Sequence, residues 1–555
     1  MRLRKETVCW SFAALAFATV GAGCTAELPS GEPGEPGALA SIDNARGSEL
    51  GAPAEPSIDP ASSRRAVFAP CAEDPELECG QLMVPVDHAH PRGPRLALAT
   101  VRAPALTRNR RGILFINPGG PGGSGVDFLL QAKPLFTPLR QSFDVVSFDP
   151  RGTARSHSVD CTFELPPLPA DPTPEATAAF LDEAGARYAR ACSEQHGALA
   201  TQVGTDNVAR DIDAFRAALG ERELNYLGFS YGTALGIAYA KLFPQRVRAM
   251  VLDGNVTPSW FSDYLLELDA DGSAGAEFAL RRLDQLCRAA PDCPLSSAGV
   301  VAVYDRSVER LDRNPVFVEN GVITGASITQ LVFPLLYQEA FGWPAIVQAL
   351  ARVDAGDYSP LPPLPLDPGS TATLPSTYAI TCDDSATRRL GLDYLPAQTG
   401  NEAIYPRFGG VNFGVAITAC SAWPQTRVAP VKNLETRNPI VLIGNDFDPA
   451  TPMAWSRQMA TALGPKATLV RYQGGGHTIY GSVFGGGSAC INDAVESYLR
   501  DLAVPARGAT CPAQPLTFAA TRRAVATTTM AEVLRRVTPK APRPIRAAAP
   551  ARSRQ

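Results

Sequence analysis

The 555-residue sequence has only five histidines, and no Cys-x-x-Cys repeat with histidines close by, so no metal site is expected. It has no surplus of positive charge either. Lys and Arg total 51 against 55 Asp and Glu, a formal net charge of -4, which gives no basic field to hold a phosphate backbone and excludes nucleic acid as a partner. Beyond residue 24 there is no apolar run long enough to span a bilayer. There is also no internal repeat.

What is present begins with a leader. Arg2, Arg4 and Lys5 precede "VCWSFAALAFATVGAGC", so residues 1–24 read as a signal peptide and the chain as exported. Cys24 follows "VGAG", small residues of the kind that precede a bacterial lipoprotein cysteine, with Gly21 where Leu is usual. A lipid anchor to the membrane at Cys24 is expected, with simple cleavage nearby as the alternative. Setting Cys9 and Cys24 aside from the 12 cysteines leaves an even number for an oxidising compartment. Local pairing joins Cys71 with Cys79, Cys161 with Cys192, Cys287 with Cys293, Cys382 with Cys420 and Cys490 with Cys511. Residues 25–63 are rich in Gly, Pro, Ala, Ser and Glu and read as a linker without order. Residues 512–555 form a basic, Pro- and Ala-rich tail, with one short helix expected near Met530.

Between these ends, short apolar runs alternate with helical periodicity, which predicts an α/β fold with a mostly parallel sheet. The strands expected are "GILFIN", "FDVVSFD", "LNYLG", "VRAMVLD", "PIVLIGN" and "TLVRY". In "TDNVARDIDAFRAALG", Val208, Ile212, Phe215 and Leu219 share one helical face, with Thr205 or Asp206 as the cap and Gly220 as the stop. The strand pattern lapses between Leu252 and Pro439, a gap better filled by an inserted cap than by a loop. The layout expected is a first core part over 64–256, a cap over 257–432 and a second core part over 433–511.

"LNYLGFSYGTALGIAYAKLF" places Ser230 between a buried strand and a helix, flanked by Gly228 and Gly232, as a sharp nucleophile elbow requires. A serine hydroxyl needs a base, and the base needs an acid to fix its tautomer. Downstream, "DFDPATP" and "QGGGHTIYG" follow two expected strands and supply Asp448 and His477. Asp446 is the rival acid; the Asp-Pro-x-Thr-Pro turn favours Asp448 by giving it a fixed loop position. His88, His90, His157 and His196 fit surface or structural roles. The glycine-rich turn in "LFINPGGPGGSG" can supply one oxyanion donor and the amide of Tyr231 another. This turn lacks the Gly-Lys-Ser/Thr ending of a phosphate loop, and its glycines are too clustered for a dinucleotide fingerprint. No cofactor is needed for such chemistry.

Taken in order, "NPGGPGGSG", "FDPRGTARS", "GFSYGTALGIAYAKLFPQRVRAMVLDG", "GNDFDPATP", "GGGHTIYG" and "SACINDAVESYL" resemble the secreted bacterial tripeptidyl aminopeptidases, α/β-hydrolases related to the prolyl aminopeptidases. The resemblance covers about residues 66–511 and implies Ser230, Asp448 and His477 as the triad. Relatives with "HGGPG" have His where this chain has Pro118, and Gly120 is then implied as the second oxyanion donor. Asp149 and Arg151 are expected to brace the loop beneath the site. The implied substrate is a peptide with a free N-terminus, released in short pieces through an acyl-enzyme. Acids near the cap would bind its amine, with Asp263, Glu267, Asp269, Asp383 and Asp384 as the choices. An esterase or lipase with the same triad is the alternative, and a binding protein on a dead hydrolase scaffold would require a broken triad.

Overall fold

The computed structural model describes residues 67–518, apart from 170, 172, 263–264, 367–368, 410–417, 425–430, 432–433 and 484–486. The leader, Cys24, the linker and the helix expected near Met530 lie outside the described residues.

The framework is a ten-stranded sheet. Its strands are β1 (Val67–Pro70), β2 (Glu78–Pro85), β3 (Arg95–Ala103), β4 (Ile113–Asn117), β5 (Asp144–Phe148), β6 (Leu224–Phe229), β7 (Val247–Asp253), β8 (Ile440–Phe447), β9 (Ala467–Gly475) and β10 (Thr510–Cys511). Their spatial order is β1-β2-β3-β5-β4-β6-β7-β8-β9-β10. From β5 to β10 all pairings are parallel. The first three strands form an antiparallel meander on one edge. The six runs expected as strands are the six from β4 to β9. They were legible because helices cover both faces, so most of their positions are apolar.

Side chains alternate across the sheet. Ile113 and Phe115 enter one hydrophobic cluster with Tyr226, Met250 and Leu442. Leu114 and Ile116 enter the other with Leu227, Val251, Val441 and Ile443. Phe115 lies against Tyr226 with ring centroids 5.9 Å apart, and full burial of such a side chain contributes roughly 1.5–3 kcal/mol.

The helix Thr205–Ala218 covers one face, and its beginning corrects the expected cap. Gly204, not Thr205 or Asp206, is the N-cap and carries no side chain to do the work. Two carboxylates from far along the chain replace it: Asp383 accepts from the Gly204 amide at 3.0 Å and Asp384 from the Thr205 amide at 2.7 Å. Capping here is tertiary, so local sequence could not reveal it. Gly220 ends the helix with φ +76°, as expected.

Between β7 and β8 the chain forms the helices Leu265–Ala289, Val300–Arg313, Gly325–Leu336, Glu339–Asp354, Ser376–Asp384 and Gly391–Ile404. The helices from Leu265 to Asp354 close over their own apolar cluster, which includes Leu280, Val303, Leu331, Trp343 and Ile346. The strand Thr371–Leu374 then returns to pair with Cys161–Glu164. The five disulfides are those expected from local pairing. Cys71–Cys79 pins the β1–β2 edge, and Cys490–Cys511 ties the helix Ala489–Asp501 to β10.

Candidate active site

The elbow after β6 is a tightly constrained turn. Ser230 has φ +55°, a conformation that costs a non-glycine residue on the order of 1–2 kcal/mol. The surroundings impose it. The Ser230 amide donates to the Asp253 carbonyl at 2.9 Å, and its own carbonyl accepts from the Thr233 amide at 2.8 Å and the Thr233 hydroxyl at 2.6 Å. A Cβ on Gly228 would stand 2.4 Å from the Gly232 carbonyl oxygen, and one on Gly232 2.7 Å from that of Asn117. The turn therefore closes only with glycine on both sides of the serine.

The glycine-rich turn after β4 lies directly on this elbow. A Cβ on Gly119 would be 2.9 Å from Cβ of Ser230 and 3.0 Å from the amide nitrogen of Tyr231. Asn117 fixes the start of the turn by accepting from the Gly119 amide at 3.0 Å. Gly120 is exposed, with φ +114°. Asp149 anchors the far end, accepting from the Ser124 hydroxyl at 2.5 Å and the Val126 amide at 3.0 Å. Burial pushes its carboxyl above the ordinary range. Arg151 is fully buried and bidentate to Asp211 at 2.6 and 2.7 Å, and donates to the carbonyls of Pro85, Val86 and Gln202. Both residues brace, as expected.

Asp448 and His477 meet beside the elbow. The Asp448 Oδ1 accepts from the amides of Ala450 and Thr451, each at 2.8 Å, and Oδ2 from the Thr451 hydroxyl at 3.0 Å. The two oxygens stand 2.9 and 3.0 Å from His477 Nδ1. That contact fixes the tautomer and leaves proton exchange to Nε2. Asp446 is elsewhere, paired with Arg471 at 2.6 and 2.7 Å. His88 belongs to the Arg151–Asp211 cluster, His90 to Asp87, and His196 to the Asp160 carbonyl. His157 sits in the turn after Arg151 with φ +58°.

Three residues that the sequence did not single out hold the histidine. Its amide donates to the Tyr337 carbonyl at 2.8 Å. The Tyr337 ring meets the imidazole edge-to-face with centroids 5.0 Å apart. Glu339 accepts from the Gly475 amide at 2.8 Å, and Asp253 from the amides of Ile479 and Tyr480, each at 2.8 Å. For Asp253 a signal did exist: it is the one acidic residue in the run "VRAMVLD".

Of the acids considered for the substrate amine, Asp263 and the side chains of Glu267 and Asp269 lie outside the described residues. Asp383 and Asp384 are buried against the start of the helix Thr205–Ala218. They also accept from indoles, Asp383 from Trp423 at 3.2 Å and Asp384 from Trp260 at 3.1 Å. The Thr205 hydroxyl, which bonds Asp384, stands 2.6 Å from the Tyr231 hydroxyl. Asp384 thus supports the residue after the elbow through Thr205, while Asp383 holds the start of the helix.

Burial raises Asp383 to about 6, Asp384 to about 7 and Asp253 to about 6. Unfolded, all three would titrate near 3.8. Between these values the native state holds more protons than the unfolded chain, so stability falls as pH rises through the window. The thermal midpoint, followed by circular dichroism, is expected to drop by several degrees from pH 5 to pH 8. A midpoint that climbs over that range contradicts the assignment.

Residues 112–311 match the family model described as alpha/beta hydrolase fold, and residues 407–511 match that described as TAP-like protein. Serine protease Hip1 of Mycobacterium tuberculosis is 31% identical over 82% of this chain and 92% of its own length. Tripeptidyl aminopeptidase of Streptomyces lividans is 30% identical, covering 80% of this chain and 85% of its own. Carboxylesterase B of M. tuberculosis is also 30% identical, over 90% and 98% respectively.

Proposed function

The chain belongs to the α/β-hydrolase family that includes the tripeptidyl aminopeptidases, and from that membership we propose an exported serine exopeptidase that releases short peptides, chiefly tripeptides, from free N-termini. Ser230 is the nucleophile, His477 the base and Asp448 the acid. The Ser230 hydroxyl attacks the scissile carbonyl while His477 Nε2 takes its proton, and Asp448 stabilises the imidazolium. The amides of Gly120 and Tyr231 receive the negative oxygen. His477 then protonates the departing amine, and a water activated by the same nitrogen releases the acyl group.

The observation that carries this reading is the Asp448–His477 pair, held on a loop whose Ile479 and Tyr480 amides bond the side chain of Asp253, the residue whose carbonyl holds the Ser230 amide. Export is supported by the leader and by five disulfides, which persist in oxidising compartments. The lipid anchor at Cys24 rests on the leader's sequence alone. The helical segment between β7 and β8 serves as the lid that limits substrate length.

The test is a matched set of one-, two- and three-residue peptide anilides, with free and blocked amines, beside a short-chain ester. Free-amine tripeptide anilides are expected to turn over fastest and blocked ones to be spared. The esterase-type reading has its support in the likeness to carboxylesterase B. Turnover of the ester alone would replace the peptidase reading with it.

A further inference from the structure

The end of β7 is where the elbow and the histidine loop are joined. Asp253 is completely buried. Its carbonyl accepts from the Ser230 amide at 2.9 Å. Its Oδ2 accepts from two successive amides of the histidine loop, those of Ile479 and Tyr480. Gly254, with φ +73°, comes next and lies against the imidazole: a Cβ there would stand 3.3 Å from His477 Cε1. The Asp253 carbonyl thus holds the backbone of the nucleophile, its side chain holds the loop of the base, and Gly254 lies close to the ring of that base.

A carboxylate is a costly choice for this place. Its Oδ1 is buried with no hydrogen-bond donor among the described residues, and an unpaired buried charge is unfavourable where a neutral amide could accept the same two N–H bonds. Holding the loop therefore does not explain the charge. The ionisable groups acting on it are His477, which favours its charged form, and Asp448, which opposes it. Of these, His477 is the one that gains positive charge when a serine hydroxyl gives up its proton.

We propose that Asp253 is a positioning residue that acts in two ways, its carboxylate setting the His477 loop against the Ser230 elbow and serving as a further anion that stabilises the charged imidazole during the reaction. The inference rests on the reading of Ser230 and His477 as nucleophile and base. Asp448 remains the group that bonds the imidazole directly, and Asp253 acts through the loop and through its field.

The experiment compares the mature wild-type protein with Asp253→Asn, Asp253→Ser, Asp253→Ala and Ser230→Ala, with fold checked by circular dichroism and kcat and KM measured from pH 5 to 9 on the free-amine tripeptide anilide. Asp253→Asn keeps an acceptor for both amides and loses the charge. KM is expected to stay within about twofold, kcat to fall about tenfold, and the acid limb of kcat/KM to move down by about half a pH unit or more, because the base has lost an anion that favours its protonated form. Asp253→Ser tests the same charge should the asparagine variant not fold. Asp253→Ala, which loses the acceptor as well, is expected to lose about a hundredfold in kcat. A neutral variant that folds, with kcat and acid limb unchanged, overturns the proposal. So does an equal loss in all three variants with the acid limb unmoved, which would mark Asp253 as purely structural. Activity surviving in Ser230→Ala instead sinks the underlying assignment of the nucleophile.

Discussion

Replacing Ser230 with alanine is expected to lower kcat by about a million-fold, and replacing Asp448 with asparagine by about ten-thousandfold, each with KM little changed. The first figure follows from losing the covalent route altogether. What remains is binding and the proposed oxyanion donors, the Gly120 and Tyr231 amides, which keep their positions. Alanine at 230 takes the same positive φ at similar cost, and the bonds that force the turn are backbone or come from Thr233, so the variant should fold. The second figure follows from hydrogen-bond direction. Asp448 receives the two loop amides, the Thr451 hydroxyl and His477 Nδ1. An asparagine that keeps the amides on its oxygen puts its amino group in the other position, also within 3.0 Å of Nδ1, where it favours an imidazole that turns its lone pair there and its proton toward the serine. The base is present in the wrong tautomer. Single-turnover hydrolysis of the best anilide measures both variants. More than about one per cent of wild-type activity in Ser230→Ala would mean a different nucleophile.

Arg151→Ala is expected to destabilise the protein by about 3–5 kcal/mol, because it leaves the Asp211 carboxylate charged, buried and without its bidentate partner. The same change strips the carbonyls of Pro85, Val86 and Gln202 of a donor. Arg151 thereby connects the end of β2, the helix carrying Asp211 and the loop that follows β5. Equilibrium denaturation in guanidinium chloride gives the value. A companion double variant, Arg151→Met with Asp211→Leu, should recover much of the loss by removing both charges together. A single-variant loss under about 1 kcal/mol would show that the buried pair contributes no more than a surface one.

The sequence made the site legible where chemistry and chain direction coincide. Ser230, Asp448 and His477 each follow a strand marked by a short apolar run, so the edge they share could be read from chain order. The strands of the meander β1–β3 were not legible, although "VDHAHPRG" reads as an early hairpin or loop. These strands mix exposed and buried positions, and Pro85 and the "VDHAHPRG" loop interrupt the pattern. Asp383 and Asp384 read as acids near a cap, and no local signal shows that they close a helix lying far behind them in sequence. Asp253 carries the same lesson in reverse. Its two bonded amides become its neighbours only once β7 and the loop after β9 are side by side.

The bond from the His477 amide to the Tyr337 carbonyl, with Glu339 holding Gly475, gives the molecule an order of completion. Tyr337 and Glu339 belong to the helices between β7 and β8, so the loop bearing the proposed base has its seat only after that insertion has folded and docked. The proposed nucleophile, made in the first half of the chain, thus gains its base only when the second half has docked against it.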